Sequence, residues 1–281
     1  MMTKFRLLFI PALATSLFTL SCGENETTSN PPQVDSVGGT AAESLALSLQ
    51  KLDDVNEFPD AALALGNVIA TPSGDSVNVS FAFSVKNYDL KNQTTDSLSK
   101  ICNNSEKGQH IHFILNNTPY VALYEPKHET KVAKNSEHYV LAFLSRSYHL
   151  SLKNKGAAIL YRFKIDENGK LQKLDNPNTP MVFYSRPKGD YLGKDTENIL
   201  FDFYLWNATL GNEYTVKADV STGGKDKTFI ISEWSPYFLK NLAMGKSTIK
   251  LLLLDKDGRK VDGPNTEVSR DINIAKEEPM R

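Results

Sequence analysis

The run VNVSFAFSV at 77–85 returns, altered but alignable, as NILFDFYLWN at 198–207. In the first, Val77, Val79, Phe81, Phe83 and Val85 alternate with smaller or polar residues; in the second, Ile199, Phe201, Phe203 and Leu205 do so. A period of two describes a strand with one buried face. The runs align without gaps at an offset of 120, placing Phe81 on Phe201, Asn87 on Asn207 and Leu90 on Leu210. Further on the offset becomes 110, so that Tyr124-Glu-Pro126 falls on Trp234-Ser-Pro236 and HYVLAFLS (138–145) on TIKLLLLD (248–255). The matches keep their order along the chain, which is the mark of an internal duplication. The fold must therefore be one that about 100 residues can complete, made twice.

Each copy reads as five to seven short strands separated by turn signals such as PSGD, DENGK, STGGKDK and DKDG. Long helical periodicity is absent from both. The expected fold is all-β: two immunoglobulin-like β-sandwich domains in tandem, over 61–172 and 180–276. The linker, 173–180, is short and contains two prolines, which favours a restricted relative pose.

The N-terminal segments are of another kind. Lys4 and Arg6 precede an apolar run from Leu7 to Leu20, too short to span a bilayer comfortably and broken by Pro11, as in a secretory signal peptide over 1–21. It ends in Ser21-Cys22-Gly23, which resembles the lipobox of bacterial lipoproteins, in which the signal is cut before a cysteine that takes up lipid. The place three residues before Cys22 is Thr19 rather than the usual Leu. The resemblance implies lipidation at Cys22 and a protein tied to the cell envelope, at the outer membrane. Residues 22–60 read as a flexible tether, polar and holding Pro31-Pro32 and Gly38-Gly39. Within it, AAESLALSLQKL (41–52) spaces Leu45, Leu49 and Leu52 as in a short helix. With Cys22 lipidated, Cys102 has no disulfide partner. Removing Lys4 and Arg6 leaves 30 basic against 33 acidic residues, about −3, with no concentrated basic surface for nucleic acid.

All five histidines fall within 108–149. In the strand His110-Ile-His-Phe-Ile-Leu115, alternation puts His110, His112 and Ile114 on one face and Ile111, Phe113 and Leu115 on the other. The second copy has Thr215 and Lys217 where the first has His110 and His112, so this face is expected to point out of its sandwich. His138 lies on the polar side of its strand if Tyr139, Leu141 and Phe143 point inward, and His149 follows at the strand end. Imidazoles at i and i+2 can share a metal ion, and His138 and His149 could complete a set suited to zinc or copper. The alternative is a set of polar side chains at a domain interface.

A second constellation offers anion-binding groups: Arg146, Lys153, Arg186 and Lys188, with neighbouring hydroxyls. Tyr204 and Trp206 alternate with Phe201, Phe203 and Leu205 and so face out of the second sandwich, toward a ligand or toward the first domain. No nucleophile elbow, phosphate-binding glycine loop or metalloprotease helix motif is present, and the expectation is a protein without catalytic activity.

The segments GQHIHFILNNTPYVALYEP, LAFLSRSYHLSLKNKGA, FYSRPKGDYLGKD and NILFDFYLWN resemble a group of Bacteroidetes envelope lipoproteins, over about residues 58–275. Some members carry the automatic name phosphopeptide-binding protein. The resemblance implies tandem β-domains, an envelope address and anion binding. The reading that results is a lipid-anchored binding or adaptor protein of the envelope. Its ligand face is on the first domain, its membrane contact is through N-terminal lipid, and an envelope protein is a candidate partner.

Overall fold

A computed structural model of the chain describes residues 46–53 and 58–276. The signal segment, Cys22 and most of the tether lie outside the described residues. The first described strand, β1 (Ser48–Lys51), occupies the end of the segment read above as a helix. It pairs antiparallel with a strand of the second copy, Ser48 opposite Lys240 and Lys51 opposite Tyr237, while Leu47 and Leu49 pack on that copy's core. The leucine spacing fits a helix locally, but an open sheet edge supplies a hydrogen-bond partner for every second residue, and tertiary pairing prevails.

The first copy contains β2 (Ala62–Ser73), β3 (Ser76–Lys86), β4 (His110–Leu115), β5 (Val121–Leu123), β6 (Lys127–Ala133), β7 (Ser136–Ser145), β8 (Ala158–Ile165) and β9 (Leu171–Leu174). The second contains β10 (Met181–Arg186), β11 (Gly189–Leu192), β12 (Ile199–Trp206), β13 (Tyr214–Thr222), β14 (Lys225–Ile231), β15 (Tyr237–Lys240), β16 (Gly245–Asp255) and β17 (Glu267–Ala275). Each copy has eight strands among the described residues, against the five to seven expected. The sheet orders repeat: β2-β3-β6 corresponds to β10-β12-β15, and β5-β4-β7-β8 to β14-β13-β16-β17. Each copy is thus a two-sheet sandwich with the same topology. Strands β1, β9 and β11 are the additions peculiar to one copy.

Val77, Val79, Phe81, Phe83, Ile111, Phe113, Val140, Ala142, Leu144 and Phe163 fill the first sandwich. Ile199, Phe201, Phe203, Val216, Ala218, Ile249, Leu251 and Leu253 fill the second. This corrects the sequence reading of β7. Its inward residues are Val140, Ala142 and Leu144, not Tyr139, Leu141 and Phe143. The inward residues of β7 correspond to Ile249, Leu251 and Leu253 of β16 at an offset of 109, and a slip of one residue to 110 turns every side chain to the opposite face.

Leu141 and Phe143 serve a third core. With Ile114, Tyr120, Ala158 and Leu160 they pack against Met181, Phe183 and Tyr204 of the second copy. Phe143 and Tyr204 stack at 5.0 Å, and Trp206 and Trp234 close the rim. Tyr204 and Trp206 therefore do face out of their own sandwich, onto the first. The two sandwiches lie sheet on sheet, four layers in all, with β4-β7-β8 and β10-β12 as the inner layers. Asn117, held at φ +56, locks the seam: its amide donates to the Val182 carbonyl at 2.9 Å and accepts from the Tyr184 N–H at 3.0 Å. Burial of Phe143 is complete. Phe143→Ala is expected to destabilise residues 58–276 by about 3–5 kcal/mol, measured by urea denaturation.

Candidate metal centre

The histidine face of β4 is the polar part of this seam. His110 and His112 are both 0% exposed. The sequence placed them on an outward face, and they do point out of their own sandwich, but the second one covers them. The equivalent Thr215 and Lys217 lie on a face that nothing comparable covers, and they are half-buried.

Local structure brings the third imidazole. After β7 the chain turns tightly: the Arg146 N–H donates to the Leu150 carbonyl and the His149 N–H to the Arg146 carbonyl, both at 2.9 Å. His149 sits at the turn with φ +72, a left-handed conformation that costs a non-glycine residue energy and that a packed environment must hold. The turn folds its ring back over the start of β4. His110 Nε2 lies 3.0 Å from His112 Nε2 and 3.1 Å from His149 Nδ1, and the Tyr120 hydroxyl is 3.3 Å from the same His149 nitrogen. One nitrogen from each of the three histidines falls within 4.8 Å of the others.

The outer nitrogens of His110 and His112 are also held. His110 Nδ1 donates to the Gly108 carbonyl at 2.8 Å, since a carbonyl can only accept. That fixes the neutral tautomer and leaves Nε2 with one lone pair aimed at the centre. His112 Nδ1 meets Ser185 Oγ of the second copy at 3.2 Å, and the His112 ring stacks on Tyr120 at 3.6 Å. Gly108 has φ +80, and a side chain there would collide with the Lys91 backbone carbonyl, so the residue that presents the carbonyl is constrained to be glycine. A lone pair on His110 Nε2 cannot accept full hydrogen bonds from two nitrogens at once. A single ion bonded to all three nitrogens at about 2.0–2.1 Å would satisfy them together, with nitrogens about 3.3 Å apart across a tetrahedral centre. Backbone and hydroxyl partners on the outer ring nitrogens are the usual orienting contacts of ligating histidines.

Burial lowers the pKa of each ring. His110 is brought down to about 4, its bond to Gly108 opposing the loss of solvent and the charges of Arg186 and Lys188 adding to it. His112 and His149 are held well below the ordinary imidazole range, by burial first and then by each cluster's neighbouring cations and imidazoles. The three are therefore neutral at physiological pH, the state that binds metal.

His138 does not join them. It lies on the core-facing side of β7, because that strand's inward parity is the reverse of the expected one. There it meets Asn116 at 2.8 Å and Ser136 at 2.7 Å beside Phe163. The four basic residues do not converge as one set. Arg146 is buried facing Asp96, with Nε 3.6 Å from its carboxylate. Lys153 donates to Asp202 at 2.8 Å and to Ser151 at 3.0 Å. Arg186 and Lys188 lie at the histidine cluster, their charged groups 5.5 and 4.3 Å from the centre of the Tyr120 ring. Tyr120 and Gly108 were missed in the sequence, and Ser185 was read only as a hydroxyl beside Arg186. Only Gly108, a glycine two residues before a histidine strand, carried a local signal.

Solved structures similar to this chain include the fibronectin(III)-like modules of CbhA from Clostridium thermocellum, at 12% identity and a TM-score of 0.26, covering 78% of this chain and 97% of that one. The extracellular domain of the putative hybrid two component system BT3049 from B. thetaiotaomicron is similar at 11% identity and a TM-score of 0.27, over 76% of this chain and 44% of that one. That of the putative one component system BT4673 from the same organism is similar at 9% and 0.23, over 75% and 37%. No family model and no curated protein matches the chain. The fold stands on the strand pairing described above. Among the described residues no helix is long and apolar enough to cross a membrane.

The imidazole burial has a sign that can be measured. In the unfolded chain histidine protonates near pH 6.5, while folded His110 stays neutral to about 4. Between these values the unfolded state takes up the proton first, so stability falls with falling pH. The metal-free protein is expected to lose about 3 kcal/mol from His110 alone across this window, and His110→Gln to reduce the slope without abolishing it, since His112 and His149 act with the same sign, in urea denaturation at stepped pH.

Proposed function

We propose that this chain is a non-catalytic binding protein of the cell envelope in which His110, His112 and His149 hold one transition-metal ion, zinc or copper(II). The observation that carries the reading is the convergence of three neutral imidazole nitrogens at 3.0 and 3.1 Å in a buried seam, with His110 and His112 oriented through their outer nitrogens. Imidazole donors without thiolate suit these two metals rather than calcium or magnesium. All three ligands come from the first copy, and the second supplies the cover and the Ser185 contact to His112.

Purified protein is expected to bind one zinc or copper(II) ion, by elemental analysis and calorimetric titration. His112→Gln is expected to abolish binding, while His138→Gln leaves it unchanged. Equal binding by wild type and His112→Gln would assign the ion to another place.

The envelope address follows from the sequence: a basic head, an apolar run of signal-peptide length, and Ser21-Cys22. Cys22 is proposed to carry the lipid. A bacterial host fed a labelled fatty acid is expected to label the full chain and return it in the membrane fraction. Cys22→Ser should lose both label and membrane association; label retained in that variant would place the lipid elsewhere.

A further inference from the structure

Arg186 is the group that a three-histidine metal site leaves unexplained. Pairing of β10 with β12 skips a residue there, Tyr184 standing opposite Phe203 and Arg186 opposite Asp202. Such a bulge turns two successive side chains toward one side of a sheet. Here Ser185 meets His112, and Arg186 lies over Tyr120, on the same seam. Arg186 is 7% exposed, and its Nη1 donates to the Tyr191 hydroxyl at 3.1 Å. Its buried Nε–H meets no acceptor. Among the described residues no carboxylate oxygen lies within 4.0 Å of Arg186 or of Lys188. The nearest candidate by register, Asp202, is already occupied by Ser151 and Lys153. Lys188 donates its ammonium to the Tyr120 carbonyl at 2.7 Å, where its charge is not neutralised.

A buried cation is costly when its one nearby carboxylate, Asp202, acts on it from beyond 4.0 Å and already pairs with Lys153. A divalent ion among three neutral imidazoles adds two further positive charges to the same water-poor space, with no carboxylate or thiolate among its ligands. Three protein ligands also leave a tetrahedral ion one open position. The need for a fourth donor and the need for negative charge can be met by one molecule. We propose that the loaded centre takes a small oxyanion, of the carboxylate or phosphate type, as its fourth ligand, with the anion's charge held by Arg186 from within and by Lys188 from the more exposed side. Arginine presents a planar pair of donors that matches such groups. The inference rests on the metal reading.

The test uses the copper(II)-loaded full chain, with metal content established first by elemental analysis. Azide is the probe, followed by its charge-transfer absorption on copper, and acetate and phosphate are the competitors. One azide per copper is expected, displaced by acetate or phosphate. Arg186→Gln is expected to weaken azide about tenfold or more, and Lys188→Met a few-fold, at unchanged copper content. Equal azide affinity in wild type and both variants overturns the inference while leaving the metal site standing, as does failure of both oxyanions to displace azide. A wild-type protein that takes up no copper overturns the metal reading, a separate observable. Phosphate or acetate binding to the metal-free protein at the loaded protein's affinity overturns the coupling of anion to metal. Should Arg186→Gln fail to fold, Arg186→Lys and the half-buried Lys188→Met decide the matter on the same readout.

Discussion

The sheet β4-β7-β8 is covered on both faces, and most of what is unusual in this protein follows from that. One face closes the first sandwich and the other is pressed against the second copy. A sheet so placed cannot leave a polar group to water. A polar side chain on the seam that finds no partner within it is costly, and nearly all of them find one, the Nε–H of Arg186 being an exception. Asn117 finds the backbone of β10, Lys153 and Ser151 find Asp202, and Tyr148 finds Asp96 at 2.7 Å. The three histidines find chiefly one another. The desolvation that keeps their rings neutral and the crowding that brings their nitrogens together have one origin, the second sandwich lying over them.

Much of the scaffold was legible because the code for a half-buried strand is local. Phe81 and Phe83 declare their inward face by alternation alone, and Phe201 and Phe203 repeat it. The strand β7 was misread for the opposite reason. With both faces buried, Tyr139-Val-Leu-Ala-Phe-Leu144 is apolar throughout, and nothing in the run itself says which parity points inward. Alignment with the second copy was the natural arbiter, and its one-residue slip turned the strand over. That error kept His138 in the candidate set and hid the partnership of Leu141 and Phe143 with Met181 and Phe183. Likewise Lys127–Ala133 and Ser48–Lys51 gain strand structure from the neighbours they pair with, Ser76–Lys86 and Tyr237–Lys240, which lie far away in the chain.

The histidine cluster was legible in part. Spacing alone put His110 and His112 on one face, and the comparison of copies marked them as something the fold does not need. Which further histidine joins them is a matter of a turn, not of a pattern: His149 arrives because the chain reverses over Arg146–Leu150. The contributions of Ser185, Arg186 and Tyr120 depend on the docking of two sandwiches and a skipped residue in one strand pair. The two copies have thus diverged in role while keeping a common topology. The outer sheet face that carries histidines in the first meets its neighbour, and the face carrying Thr215 and Lys217 in the second does not.

Both tryptophans of the chain, Trp206 and Trp234, stand at the rim of the seam between the sandwiches, and Trp234 also packs against the core of the second one. Trp234 is fixed there by its indole N–H, which donates to the Phe203 carbonyl at 2.9 Å, and the Lys153 ammonium lies 4.8 Å from its ring centre. The protein therefore carries its own optical probe at the seam where its two halves meet. Its ultraviolet emission reports the closing and parting of the sandwiches, together with any loosening of the second one that reaches Trp234.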